Sequence, residues 1–210
     1  ATLIQAVLAG AVLILLPLSL TARRQPASPG KRTGAYFFLL GLAFLFVEIA
    51  FIQRFTLFLS HPLYAVAVVL AGFLVFAGIG SGLSTLLARR LRHSRLHPVH
   101  LAVGGIVVVC LVYTLVLPAL FVRMMAFDDL TRIALSLALI APLAASLGMP
   151  FPLGLTSLDE SAPEFMPWAW GINGFASVIS AAIATLLAIS FGFTFVLLMA
   201  LLLYAAAAIL

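Results

Sequence analysis

Seven stretches of roughly twenty apolar residues follow one another along this 210-residue chain, separated only by short polar breaks. A helix rises about 1.5 Å per residue, so about twenty residues cross the ~30 Å hydrocarbon core of a bilayer. On that count the spans are 2–20, 35–59, 63–87, 99–122, 130–148, 167–190 and 193–210. In hydrocarbon each backbone N–H and C=O must be satisfied within its own segment, so apolar runs of this length fold as helices. The expected fold class is all-α: a polytopic transmembrane helix bundle of about seven spans, forming a single transmembrane domain over 1–210. Composition removes the alternatives. The chain is 65% hydrophobic and 8% charged, with a mean hydropathy of +1.28. A soluble domain carries about 25% charged residues, and one of this size cannot hide so much apolar surface. Disorder requires the opposite balance.

The few charges are placed to mark sidedness. Eight of the eleven Lys and Arg residues fall in two runs, Arg23, Arg24, Lys31, Arg32 and Arg89, Arg90, Arg92, Arg95. Both runs lie on one side of the span count, with Arg54, Arg123 and Arg132 on the other. Lys/Arg bias sets orientation, whereas acidic residues such as Asp159, Glu160 and Glu164 in the expected loop 156–166 contribute little. The basic loops 21–34 and 88–98 are therefore expected in the cytoplasm, with the N-terminus outside and the C-terminus inside. The basic residues are too few and too local to track a phosphate backbone, so no nucleic-acid partner is expected. The partner the sequence requires is the lipid bilayer. Pro26, Ser28, Pro29 and Gly30 mark 21–34 as a linker. His61-Pro62 breaks the chain between the second and third spans, and 190–193 reads as a tight hairpin. Cys110, inside an apolar run, reads as a small buried hydrophobe. The chain opens on apolar Ala1 without an initiator Met and closes on apolar Leu210, which reads as a piece of a longer protein.

Against this background Glu48 stands out. It is the only acidic residue deep within a span, about 18 Å along the helix from Tyr36. An ionised, unpaired carboxyl there costs several kcal/mol, so it is either neutral or partnered. It reads as a cation, amine or proton site, or as a structural helix–helix hydrogen bond. Tyr113 and Ser136 reach a similar depth, and Arg132 lies one turn from Ser136 on the same face. A Glu48–Tyr113–Ser136 cluster capped by Arg132 requires the second, fourth and fifth spans to be adjacent. Nearer the outer end, Gln53, Arg54 and His61 form a candidate vestibule, although Arg54 also suits snorkelling to the headgroups. His93, His97 and His100 fit a solvated basic loop touching anionic lipid better than a metal site.

The sixth span carries a small, polar stripe. Asn173, Ser177, Ala181 and Thr185 recur every four residues beside Gly171 and Gly174, which reads as helix packing or as the wall of a polar pathway. Pro167 suits a first helical position, and Trp168 and Trp170 suit interfacial anchors. Gly148, Pro150, Pro152 and Gly154 break the preceding span, as a plain turn or as a site-flanking break. Gly78 and Gly82 have the small-xxx-small spacing of a helix-packing surface.

Three blocks carry a resemblance. These are VEIAFIQRF…HPLYA within 47–65, GMPFPLGL at 148–155 and PWAWGINGF at 167–175. Together they resemble the C-terminal transmembrane region of bacterial polytopic, spermidine-synthase-like proteins, in which hydrophobic helices join an aminopropyltransferase-like Rossmann domain. The resemblance implies a membrane module that anchors, or supplies substrate to, a soluble domain lying upstream. That domain is not part of this sequence: no strand–GxGxxG–helix unit occurs, and the Gly78–Gly80–Gly82 triplet sits inside a span. Any aminopropyltransferase-like activity would belong to the missing domain. No catalytic, cofactor-binding or metal-binding residue is assigned within 1–210, and the cofactor is unknown. Two further readings stay open. One is a transporter-like module for a cation or amine using Glu48. The other is an accessory subunit whose exposed faces bind partner membrane subunits.

Overall fold

Helix accounts for nearly every residue that the computed structural model describes, namely 2–21, 30–92 and 96–210, and no strand occurs among them. Arg23, Arg24, Pro26, Ser28, Pro29, His93 and Arg95, named above, lie outside the described residues. The helices are α1 (Thr2–Gly10), α2 (Leu16–Thr21), α3 (Lys31–Leu59), α4 (Pro62–Leu91), α5 (Pro98–Met124), α6 (Asp129–Leu147), α7 (Pro150–Ser161), α8 (Met166–Phe191) and α9 (Phe193–Ile209). Among the described residues six helical stretches are long and apolar enough to cross a membrane, and α9 adds a shorter apolar helix of 17 residues. The protein is thus an all-α, membrane-compatible bundle of about seven helices.

The chain divides into two compact units, Ala1–Val47 with Leu153–Leu210, and Glu48–Pro152. In the first, α1 and α2 lie along α8, which also packs on α9. A π-helical turn, Ala11–Leu15, joins α1 to α2 just before Pro17. Proline offers no N–H to the carbonyl four residues back and its ring crowds that carbonyl, and a π-turn is one way to absorb both. Gly10 lets α1 approach α8 closely: a Cβ there would lie 2.9 Å from the Phe175 ring. Between α8 and α9, Gly192 takes φ +83°, a backbone region that glycine enters without steric penalty.

The second unit is built on α4 and α6. Glycines at their contact bring backbone against backbone. A Cβ on Gly80 would sit 1.9 Å from the Ala145 carbonyl oxygen, and one on Gly148 would sit 2.1 Å from that of Ala77. Gly72 faces Ile140 well before Gly80 meets Ala145, so over this length the two helices run in the same direction. The buried face of α4 is Ala65, Val69, Gly72, Phe73, Gly80 and Ser84, a helical stripe. It excludes Gly78 and Gly82, which are exposed with nothing within 4 Å of an added Cβ. The packing role expected for Gly78 and Gly82 therefore falls to Gly80, because only the Gly72–Gly80–Ser84 phase points at α6.

Two local expectations also change. The 148–155 block is a break of two residues, Gly148 and Met149, after which helix resumes at Pro150. Proline is tolerated in a first turn, where its missing N–H has no helical partner. Helix α7 then runs to Ser161, so Asp159 and Glu160 occupy its last turn, and Glu164 lies in a 3₁₀ turn, Pro163–Phe165. The expected loop 156–166 is mostly helical. Helix α3 likewise begins at Lys31, inside the segment expected as linker.

Candidate functional site

Helix α3 carries Glu48, the first residue of the second unit. The side chain is 8% exposed, and it has no hydrogen-bond or ion-pair partner among the described residues. Its carboxyl oxygens are not both sealed off, since no buried side-chain oxygen is left without a partner. Residues three and four apart share a helix face, so Glu48, Phe51, Phe55 and Phe58 form one stripe of α3. The three phenylalanines are buried. Phe51 meets Phe73 of α4 and Tyr113 of α5, with ring centroids 5.7 and 6.2 Å apart. Phe58 stacks on Phe121 of α5 at 4.4 Å, and Phe55 meets the same ring edge-on at 5.1 Å. A carboxyl thus ends a column of aromatic rings.

The helices expected around Glu48 are indeed neighbours: rings join α3 to α5, α5 packs on α6, and Arg132 of α6 reaches the end of α3. The hydroxyls expected to meet Glu48 are committed elsewhere. Tyr113 donates to the Leu139 carbonyl at 2.7 Å, and Ser136 donates to the carbonyl of Arg132 at 2.7 Å. A hydroxyl buried among apolar residues takes the nearest backbone acceptor, and in a helix the carbonyl four residues back is always in reach. The hydrogen-bonded cluster is not formed.

Arg132 does not cap Glu48 either. Its guanidinium donates to the Phe127 carbonyl at 2.9 Å and to that of Met125, in the α5–α6 turn. It also reaches the Phe58 carbonyl and the Ser60 hydroxyl, both at 3.5 Å. The C-terminal carbonyls of α3 lack helical partners, and a cation is favoured at the negative end of the helix dipole. Ser60 follows with φ +61°, the left-handed conformation that often closes a helix. Gln53 and Arg54 are half-buried, while His61 is exposed and lies against the Tyr64 ring at 5.4 Å.

The polar stripe of α8 serves helix packing in the first unit. Asn173 donates to the Phe37 carbonyl at 3.1 Å, Ser177 to Gly41 at 3.5 Å and to Asn173 at 2.9 Å, and Ser180 to Leu42 at 2.8 Å. Gly41 makes this possible, since a Cβ there would lie 2.5 Å from the Asn173 carbonyl oxygen. Thr185 is exposed and turns back on Ala181. Sequence reasoning missed Ser180 and Gly41. The seven-residue step from Asn173 to Ser180 was a usable signal, whereas nothing local distinguishes Gly41 from other glycines. Trp168 is half-buried and Trp170 is 61% exposed, both in the first turns of α8. His97 and His100 approach with ring centroids 5.6 Å apart, and Cys110 is fully buried. Among the described residues no three of His, Cys, Asp and Glu gather as a metal site. No family model, curated protein or solved structure matches the chain.

Proposed function

We propose that the chain is the membrane-embedded module of a spermidine-synthase-like polytopic protein of the bacterial cytoplasmic membrane, anchoring or supplying substrate to an attached transferase-like domain. The observation that carries the substrate role is Glu48, a buried carboxyl with no partner among the described residues, on the α3 face that carries Phe51 and its ring neighbours. A negative group and aromatic faces are the two features that attract an ammonium ion. An inorganic cation needs several oxygen ligands, and among the described residues no three of His, Cys, Asp and Glu gather to supply them. The same carboxyl supports the second reading, in which the module itself moves an amine or a proton across the membrane. Titrating the protein in nanodiscs with putrescine and spermidine, by calorimetry, tests the amine reading. Saturable binding is expected, weakened about 30-fold by Glu48→Gln, the scale of one charge-assisted hydrogen bond. Equal binding by the variant removes Glu48 from the reading. A reading frame that continues upstream into a Rossmann-like domain supports the attached-domain role, and one that does not leaves the transport reading. Uptake of labelled amine by proteoliposomes separates the two.

A further inference from the structure

We propose that Phe55, Phe58 and Phe121 form an aromatic gate that closes the path from Glu48 to the end of the second unit that carries Ser60 and Arg132. The inference rests on Glu48 being the ligand-binding group and concerns how that group is reached. From Glu48, the α3 stripe continues through Phe51, Phe55 and Phe58 toward the α3 C-terminus. Every step of it is blocked by rings. Phe51 is stacked on Phe55 at 5.8 Å, and Phe55 and Phe58 both close on Phe121, with the Phe58–Phe121 planes 11° from parallel. Phe55 is fully buried and Phe58 is 1% exposed. A ligand arriving from that end must displace Phe121 or separate α3 from α5.

The contacts above the rings are graded in a way that suits movement. Arg132 holds its own turn closely, through Phe127 and Met125, but reaches Phe58 and Ser60 only at 3.5 Å. Ser60 adopts a left-handed backbone, which costs a non-glycine residue energy and is held only by its surroundings. Arg132 is thus anchored in the α5–α6 turn and only touches the end of α3. Displacement of the α3 end would carry Phe55 and Phe58 off Phe121 while Arg132 kept its firm contacts.

Thiol labelling reads access to position 48 whether or not Glu48 binds an amine, so it fails independently of the reading above. With Cys110→Ser as background, Glu48→Cys is exposed to a membrane-impermeant maleimide at the face carrying Ser60. Ile140→Cys serves as the reporter of general loosening, since Ile140 is buried against Gly72 of α4. Slow reaction at position 48 is expected, accelerated about tenfold by Phe121→Ala, which removes two ring contacts. The cysteine at position 140 should stay unreactive. Fast reaction at position 48 without Phe121→Ala, or no acceleration with it, overturns the gate. If Phe121→Ala also exposes position 140, Phe121→Leu decides, because it keeps bulk while losing the ring stack. Acceleration at position 48 alone then upholds the gate, and equal reaction at both positions overturns it.

Discussion

At the scale of single residues, the glycines of α4 show how one turn of phase separates a structural position from a free one. Gly78, Gly80 and Gly82 lie within five residues, yet only Gly80 is pressed against another backbone. Gly80→Ala forces its Cβ against the Ala145 carbonyl and should cost about 3 kcal/mol, the upper range for overpacking. Gly78→Ala and Gly82→Ala should instead gain about 0.5 to 1 kcal/mol each, by relieving the helix of a flexible residue. Thermal melts followed by size-exclusion chromatography rank the three variants. A melt of Gly80→Ala no lower than that of Gly78→Ala would contradict the assigned face. The sequence made the spacing of these glycines visible but not their direction, which depends on where α6 lies. Glu48 is the converse case. Its depth was legible from the span count alone, whereas its lack of a partner among the described residues emerged only when Tyr113 and Ser136 were seen donating to the backbone.

At the scale of elements, helix ends are settled by a few polar contacts. Asp128 caps α6, accepting from the Thr131 N–H at 3.2 Å and from the Thr131 hydroxyl at 2.6 Å. These bonds favour the ionised carboxyl and hold it below the usual carboxylate range. With the folded value below the unfolded one, the cap's contribution is complete above the unfolded pKa. It is lost as pH falls through the depressed folded value. Asp128→Asn keeps an N-cap side chain but should remove that part of the acid sensitivity, seen as a flatter melting profile on acidification. Arg132 ties a different set of ends. Its fork serves carbonyls in two turns at once, which a lysine ammonium on a single stem cannot reproduce. Arg132→Lys should therefore cost nearly as much as Arg132→Gln, roughly 1 to 3 kcal/mol in unfolding assays. Rescue to parent stability by lysine would show that charge alone matters there. The break at Gly148-Met149 was legible as an interruption, because Gly and Pro punctuate helices. The return of helix at Pro150 was not, since it depends on Gly148 fitting against Ala77 and Gly154 against the Tyr36 ring.

At the scale of the whole molecule, the seven spans could be counted because the bilayer demands unbroken apolar runs of about twenty residues, whereas a soluble surface helix keeps a polar face. Among the described residues six membrane-length stretches, with α9 as a shorter seventh of 17 residues, fit that count. Direction across a membrane is expected to follow from charge. Arg89, Arg90 and Arg92 are exposed at the junction of α4 and α5, whereas Arg132, at the other end of the same unit, is engaged by carbonyls. Lys/Arg bias near span ends sets orientation, so the arginine-rich junction should stay on the cytoplasmic side. Cysteines placed at Leu96 and His61, both exposed, test this in a Cys110→Ser background. An impermeant thiol reagent added to intact cells should modify position 61 and leave position 96 untouched, and inverted vesicles should reverse the pattern. Replacing Arg89, Arg90 and Arg92 with glutamine removes most of the bias that the second basic run supplies, so a fraction of molecules should then label at position 96 from outside. If the orientation survives that triple change intact, the first basic run, or a segment beyond these residues, sets it instead.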